Sequence, residues 1–315
     1  MKNFIIDFTQ KIDFPKEATK FFADLYARLD EDDVENLEYW RDIFMWHRDY
    51  QDESVDKTEI WIVAEKGIAE LAQRKDINIM SMNMLFFIIC AKKLSSDYSA
   101  NGLDGQLYWD IMRDLKYKME ETKKLHDIWG SHTFSWYHRI FTMRTFALGR
   151  FQYTDGTFKG EDMGFGSFTL HKGDRVYDFH IPSSGPMTTE MRMASYKKAY
   201  EFFKKPDEKY VVFACGSWLI YPGNREVFTE GSNLLSFMED FEPVSFEEAS
   251  EENRFRDAWR VFYKDFDGNT SALPRETSLQ RRYIEWLGAD KSHGVGRGYG
   301  VIVFDGEKIV RSNKE

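Results

Sequence analysis

The chain has 315 residues, of which 42% are hydrophobic, 30% charged and 17% aromatic, and its formal net charge is −10. This length exceeds what one core usually supports, so it predicts two domains, and the composition is that of a globular protein. The negative charge and the lack of any lysine- and arginine-rich run argue against nucleic acid as a partner, because phosphate-tracking surfaces are basic. Cys90 and Cys215 are the only cysteines, which excludes a disulfide framework or a cysteine zinc cluster.

The first residues and the apolar runs predict a soluble, cytoplasmic protein. The sequence "MKNFIIDFTQKIDFPKE" lacks the apolar core and the small-residue cleavage site of a signal peptide. The longest apolar run, Met84 to Ala91, is far shorter than the ~20 residues that cross a bilayer. We therefore expect no membrane span.

Up to about residue 144 the sequence predicts a helical bundle. Gly67 is the only glycine before Asn101, and no proline occurs between Pro15 and Pro182. Apolar residues recur at helical spacing throughout this segment. The clearest stripes are Ala18, Phe21, Phe22, Leu25 and Leu29; Val34, Leu37, Trp40, Ile43 and Phe44; Ile79, Met82, Phe86, Ile89 and Cys90; and Tyr108, Ile111, Met112, Leu115 and Met119.

From Phe146 the pattern changes to short aromatic runs separated by glycine turns: "FALGRFQY", "FGSFTLH" and "DRVYDFHI". The tight connection "HKGD" between the last two runs predicts a hairpin within an antiparallel meander. Strand alternation in the third run puts Val176, Asp178 and His180 on one face. The rest of the chain predicts a helix ending before Pro206, a strand from Tyr210 to Cys215, a short helix "SNLLSFMEDF", a strand "WRVFY", a helix "TSLQRRYIEWLG" and a closing strand "YGVIVF".

The stretch "HGVGRGYGVIVF", from His293 to Phe304, resembles a phosphate-binding loop, with four alternate glycines beside Arg297. A phosphate cradle, however, needs the order strand, loop, helix, so that the helix N-terminus faces the anion. This stretch leaves a helix and enters a strand, and its glycines are therefore predicted to serve turn geometry or close packing.

A second loop, "SSGPMTT" from Ser183 to Thr189, has the required order. A strand ends at Ile181 and Pro182, and Thr188 or Thr189 can cap the helix that follows. The residues alone leave two readings open, a phosphate cradle and an ordinary strand-to-helix turn with good capping residues.

Taken in series, "LGRFQY", "DFHIPSSGPMTTEMRMASYKKAYEFF", "ACGSWLIYP", "SNLLSFMEDF" and "PRETSLQRRYIEWL" resemble the two-domain bacterial acyltransferase family, which joins a helical N-terminal domain to a GNAT-like C-terminal domain. The resemblance is best from Leu148 to Phe304. It implies an α+β fold, with a helical bundle over residues 1–144 and a GNAT-like mixed α/β domain with a mainly antiparallel sheet over residues 145–315.

The resemblance also implies where an acyl-CoA or CoA would bind. The pyrophosphate is expected at the loop after the first of two splayed strands, and the acyl thioester between those strands. The residues of this loop that would bind the cofactor are Ser183, Ser184, Gly185, Thr188 and Thr189. The loop departs from the general GNAT pattern, since Gly185 is its only glycine and Pro186 follows it.

Acyl transfer requires a group that takes a proton from the acceptor and a group that returns one to the thiolate. His180, at the end of the first strand, is the candidate general base, and a buried structural histidine is the alternative. Asp178 on the same face is expected to orient His180 or to pair with a basic residue. After the second strand, Cys215 is a candidate acyl carrier or a small core residue, and Ser217 a candidate donor to the thioester or thiolate.

Two further residues complete the predicted substrate site. Trp218 is expected to wall the acyl pocket, and Asn233, beside the capping candidate Ser232, to approach the thiolate. A metal site is not expected, because His126, His132 and His138 recur every six residues and a helix turns about 240° over that step.

The sequence thus supports acyl transfer from a CoA-type thioester, or from an acyl carrier protein, to a small-molecule amine or hydroxyl. The alternative is a non-catalytic GNAT-like protein that binds a carbohydrate, peptide or small molecule. The missing second glycine and Pro186 favour that alternative, and a loop with its N–H groups in an open cleft would favour the enzyme.

Overall fold

The computed structural model describes residues 1–46, 59–248, 254–264, 266–290 and 293–313. The chain divides into two compact units, Met1–Ala147 and Leu148–Glu315. The first unit contains helices and the second a mixed sheet with helices, as the sequence predicts.

The first unit is built from amphipathic helices around α5, which supplies most of the core. Thirteen of the 22 residues of α5 are buried, because helices pack on more than one of its faces. The bounds are α1 Lys2–Lys11, α2 Lys16–Tyr26, α3 Glu31–Phe44, α4 Glu59–Arg74, α5 Ile79–Ala100, α6 Gly105–His126 and α7 His138–Phe141. The acidic run near Asp30 is the start of α3, where Asp30 and Asp33 form a reciprocal capping box.

Among the described residues, α5 is the one helix long and apolar enough to cross a membrane by length and composition. Its apolar window is 67% buried inside the protein. Phe86 and Phe87, for example, pack against Phe134 with ring centroids 5.9 and 5.4 Å apart. The apolar character of α5 is therefore that of a core helix.

The second unit is a sheet in the order β1-β2-β5-β6-β8-β7, with β9 paired to β8 and a separate hairpin β3-β4. Strands β5 and β6 are parallel, joined through α8, whereas β2–β5, β6–β8, β7–β8 and β8–β9 are antiparallel. The predicted mainly antiparallel sheet is confirmed. The bounds are β1 Thr145–Leu148, β2 Phe151–Thr157, β3 Met163–Phe165, β4 Phe168–Leu170, β5 Arg175–His180, α8 Thr189–Phe203, β6 Val211–Ser217, α9 Asn224–Val227, α10 Asn233–Glu239, β7 Glu242–Glu247, α11 Trp259–Phe262, α12 Ser278–Ala289, β8 Arg297–Phe304 and β9 Ile309–Val310.

Two local predictions in this unit are wrong. The hairpin lies within "FGSFTLH", where Phe165 pairs with Phe168, while the turn "HKGD" leads into β5, which pairs with β2 instead. The segment "WRVFY" contains helix α11 and no strand. A run of four or five apolar residues cannot separate a buried helical turn from a buried strand, since both bury it completely.

The two faces of the sheet carry different cores. On one, the hairpin face, Val176, Ala214 and Val301 pack with residues of the β3-β4 hairpin. On the other, the helix face, α8 is held by aromatic contacts: Tyr177 stacks on Phe203 with ring centroids 3.9 Å apart. This alternation decides which side chains of β5, β6 and β8 can meet at the site.

Candidate active site

Strands β5 and β6 part at their carboxyl ends. Their parallel ladder consists of two residue pairs, Tyr177 with Phe213 and Asp178 with Ala214, although β5 continues to His180 and β6 to Ser217. The interval between these two strand ends, the β5–β6 gap, is where open α/β sheets bind ligands. The structure thus has the splayed strands that the resemblance implies.

The loop after β5 reaches the gap and starts α8. Thr188 is the N-cap of α8, and its hydroxyl accepts a hydrogen bond from the Met191 amide at 3.3 Å. Gly185 has φ of +100°, which side chains disfavour, and a Cβ there would meet no atom within 4 Å. The loop is therefore open to solvent at Gly185, beside the positive end of the helix dipole.

Arg150, which the sequence analysis did not single out, fixes the orientation of this loop. Its guanidinium donates to the carbonyl oxygens of Pro182, Gly185 and Pro186, each at 3.0 Å. In a trans peptide the carbonyl and the next N–H point in opposite directions. The amides that follow Pro182 and Pro186 are therefore turned away from Arg150. The signal was the arginine in "LGRFQY", directly after a glycine turn.

A buried ion pair anchors the first turn of α8. Arg192 is 1% exposed and donates to Asp240 through Nε at 2.6 Å, to the Met187 carbonyl at 2.8 Å and to Ser236 Oγ at 2.9 Å. The Tyr196 hydroxyl donates to the same carboxylate at 3.0 Å. Both charges of the pair are compensated, so the start of α8 is held rigidly to the end of α10.

Asp178 and His180 lie on the hairpin face at the gap, as strand alternation predicts. Their cross-strand partners on β2 are Thr154 and Gln152, both buried. A Cβ at Gly156 would clash with the Asp178 carboxylate, so the glycine makes room for that side chain. Asp178 and His180 are thus half-buried polar side chains on one face, Asp178 at the last β5–β6 pair and His180 beyond it.

Tyr299 of β8 extends this polar group and was also missed by the sequence analysis. It pairs with Gly216 of β6 and lies on the same face as Asp178. Burial, together with the charge of Asp178, raises the pKa of the Tyr299 phenol to about 12. The phenol therefore stays protonated at neutral pH and can donate a hydrogen bond. Gly216 is exposed and carries no side chain, so the gap is open beside Tyr299.

Cys215 and Ser217 occupy the helix face and so do not join Asp178 and His180. Cys215 is 2% exposed, and burial raises the pKa of its thiol. Such a thiol is protonated and behaves as a small core side chain. Ser217 Oγ accepts from the Leu219 amide at 3.2 Å, which leaves its O–H free to donate towards the end of β6.

Trp218 and Asn233 lie on the elements that follow β6. The Trp218 ring packs near Phe228 and Tyr283, at centroid distances of 6.4 and 6.1 Å. Asn233 is exposed at the first position of α10, and Ser232 caps that helix by accepting from the Leu235 amide at 3.2 Å.

Three of the four glycines of "HGVGRGYG", Gly296, Gly298 and Gly300, serve close packing, as predicted, because they lie next to or in β8 against neighbouring backbone. A Cβ at Gly298 would clash with the Ile220 carbonyl, and one at Gly296 would lie 2.7 Å from the Glu247 carbonyl oxygen. Arg297 forms a bidentate ion pair with Asp257, with N–O distances of 2.5 and 2.8 Å.

His126 and His132 come closer together than helical spacing suggests, with ring centroids 5.7 Å apart, because α6 ends at His126 and the chain turns back. His132 Nδ1 lies 2.9 Å from the Thr122 hydroxyl. In the part of the chain that the structure describes, no group of three or more metal-ligating side chains could hold an ion.

Comparisons with known proteins agree with this geometry. Residues 3–143 match the family model of the N-acyltransferase N-terminal domain, and residues 145–301 that of the GNAT-like C-terminal domain. The solved structures that resemble the chain include an acyltransferase mutant in complex with octanoyl-CoA, with a TM-score of 0.71 and 18% identity over 94% of this chain and 86% of that one. Another is an acyltransferase in complex with decanoyl-CoA and teicoplanin, with a TM-score of 0.70 and the same identity and coverage. No curated protein matches the chain significantly.

Proposed function

Because this chain belongs to the two-domain acyltransferase family, which joins an N-acyltransferase N-terminal domain to a GNAT-like C-terminal domain, we propose that it transfers an acyl group from a CoA thioester to an amine or hydroxyl. The observation that carries the proposal is the β5–β6 gap, which ends beside the loop at Gly185 and the start of α8. An acyl-CoA whose thioester lies in the gap would place the pyrophosphate of its CoA at that loop.

The pyrophosphate is proposed to bind to backbone amides and hydroxyls of the loop after β5. The residues concerned are Ser183, Ser184, Gly185, Thr188 and Thr189. The openness at Gly185 and the orientation imposed by Arg150 support this role. They also favour the enzyme over the non-catalytic alternative, for which a filled loop was the expected sign.

His180 is proposed as the general base that takes the proton from the acceptor, and Asp178 as its positioning residue, since both face the same side of the gap. Tyr299 is proposed to donate a hydrogen bond to the sulfur that leaves. Ser217 is the second candidate donor, at the other face of the gap. Cys215 is assigned to the core and not to covalent catalysis, because a buried, protonated thiol is a poor nucleophile.

Trp218 and Asn233 are proposed to contact the substrates, Trp218 as a wall of the acyl pocket. The resembling acyltransferases were solved with octanoyl-CoA and with decanoyl-CoA, and one of them with teicoplanin. These complexes support medium-chain acyl-CoA as the donor and a small molecule as the acceptor here. An acyl carrier protein is the second proposed donor.

We place the reaction in the bacterial cytoplasm. A CoA-dependent reaction fits that compartment, and both cysteines are free thiols, as is usual in a reducing environment.

The proposal is tested by titrating CoA, octanoyl-CoA and pantetheine into the wild type and into Gly185→Asp and Gly185→Asn. The two variants have the same size and the same backbone strain and differ in one charge. Asp is expected to weaken CoA binding about tenfold more than Asn does, because it places a carboxylate next to the pyrophosphate. Pantetheine lacks the pyrophosphate and should bind both variants alike.

Failure of the wild type to bind CoA or octanoyl-CoA would contradict the CoA-dependent function. Equal affinities of the Asp and Asn variants for CoA would show that the pyrophosphate binds elsewhere.

A further inference from the structure

Two arginines share one buried carboxylate at the start of β8. Asp257 is 1% exposed, and Arg297 approaches both of its oxygens, at 2.5 and 2.8 Å. Arg260 Nε donates to Oδ1 of the same carboxylate at 2.9 Å. Asp257 therefore holds two guanidinium groups side by side with one negative charge between them.

These arginines remain accessible although Asp257 is not. The side chain of Arg297 is 39% exposed and that of Arg260 is 32% exposed. Each guanidinium has five N–H donors, and Asp257 uses two from Arg297 and one from Arg260. The other N–H groups of both guanidinium groups are not used by Asp257. Arg260 is also stacked on the Trp259 ring, 4.3 Å from its centroid, which restricts its orientation.

In the part of the chain that the structure describes, the charged groups around Asp257 are mostly arginines. Arg256 is paired with Glu247 at 3.1 Å and is 3.9 Å from Asp257. Among the described residues of this cluster, three arginines meet two carboxylates, of which Asp257 is buried and Glu247 is exposed. The groups that face solvent are mainly cationic, in a chain whose net charge is −10.

The arginine pair lies at the gap end of the sheet and on the same face as the proposed base. Strand β8 runs in regular register with β6 from Gly298 opposite Ser217 to Phe304 opposite Val211. Alternation therefore puts Arg297 on the face of Tyr299, which is the face of Asp178 and His180. Arg297 is at the end of β8 that adjoins Ser217, the last residue of β6.

We infer that Arg297 and Arg260 bind a carboxylate of the acyl acceptor, at least about 10 Å from the amine or hydroxyl that is acylated. The lower limit follows from the sheet: β6 lies between β5 and β8, two regular strand spacings span about 10 Å, and β5 and β6 part beyond Asp178, which widens the distance. Paired guanidinium donors fit the planar geometry of a carboxylate. The inference rests on the proposed function, since it treats the gap as the place of acyl transfer.

This spacing defines an acceptor class. A free α-amino acid is too short, because its amine and carboxylate are attached to the same carbon. An extended tripeptide separates the two groups by about 10 Å. The acceptor is thus a peptide-sized molecule with an acid group at the far end from the reactive amine or hydroxyl.

The test uses triglycine, triglycinamide and glycine as probes in calorimetric titrations of the full chain without CoA. Triglycine is expected to bind at least about tenfold more tightly than triglycinamide, which lacks the carboxylate, and more tightly than glycine. In Arg297→Gln and in Arg260→Gln this preference should fall to about twofold or less. Arg225→Gln, on the exposed surface of α9, is the matched control and should keep the preference.

Equal binding of triglycine and triglycinamide to the wild type, including no binding by either, overturns the inference. An undiminished preference for triglycine over triglycinamide in a folded Arg297→Gln or Arg260→Gln protein also overturns it. Two arginines are tested because one variant can lose its fold. Glycine binding as tightly as triglycine overturns the 10 Å spacing. None of these titrations contains CoA, so they are independent of the CoA binding that tests the proposed function.

Discussion

At the scale of single residues, the site depends on charges that are buried only because they are paired. Asp257 illustrates the balance: burial raises its pKa, but hydrogen bonds from Arg297 and Arg260 outweigh burial and hold the pKa below its ordinary value of 3.8. A carboxyl whose pKa is lowered by folding stabilises the folded state above its unfolded pKa. That stabilisation is lost as the pH falls through the folded pKa.

Asp257→Asn should therefore destabilise the protein at neutral pH by about 1–3 kcal/mol, the usual range for hydrogen bonds to charged groups. The difference from the wild type should begin to shrink below about pH 4, where the carboxyl of the unfolded chain becomes protonated, and should shrink further as the pH falls through the lowered pKa of folded Asp257. Urea unfolding between pH 3 and pH 7 measures both effects. Asp24→Asn, in an exposed pair with Lys20, should show no measurable change. A pH-independent difference would contradict the assignment of Asp257 as an ionised partner.

Strand alternation predicted the position of some site residues correctly. It gave no sign of the residues that reach the site through tertiary contacts. The shared face of Asp178 and His180 follows from a period of two, which the sequence shows directly. Arg150, just before β2, contacts residues 32 to 36 positions away in sequence, and Tyr299 of β8 is about 120 positions from Asp178. No local pattern reveals such contacts, because they are created by the order of strands in the sheet.

At the scale of elements, the helical bundle and the β5-loop-α8 unit were predicted correctly, since caps, breakers and periodicity are local signals. The hairpin at "HKGD" was placed wrongly because turn residues show where the chain reverses, not which strands then pair. The loop between β5 and α8 has few internal hydrogen bonds, and the side chain of Arg150, which precedes β2, holds it. Its order thus depends on Arg150.

Arg150→Lys is expected to raise the Kd for CoA about tenfold while changing the melting temperature little. Lysine keeps the charge, but its compact ammonium cannot satisfy three carbonyls in the fork geometry of a guanidinium. Each carbonyl left without a partner costs about 1–3 kcal/mol if it stays buried, so the loop should open instead. Calorimetry gives the affinity, and amide exchange of residues 183–189 reports the opening. Arg225→Lys is the control, and an unchanged Kd in the Arg150 variant would show that the loop is ordered without the clamp.

At the scale of the whole molecule, the core of the first unit and the core on the hairpin face of the second unit share no residue. The core of the first unit extends from Ile5 to Ala147, and the core on the hairpin face extends from Phe158 to Val303. Every residue proposed for donor binding and for proton transfer belongs to the second unit. The uneven distribution of glycine is the sequence signal that predicted a helical first part and a sheet-containing second part.

A fragment that begins at Thr145 and continues to the end of the chain should therefore fold alone and bind CoA within about threefold of the full-length affinity, as expected for a domain with its own core. Beginning at Thr145 retains β1, the edge strand beside β2. Circular dichroism and thermal unfolding measure the fold, and CoA titration measures the site. The fragment carrying Gly185→Asp is the negative control.

A folded fragment that does not bind CoA, next to a full chain that does, would mean that the donor site requires residues of the first unit. An unfolded fragment would mean that the sheet depends on that unit for its stability.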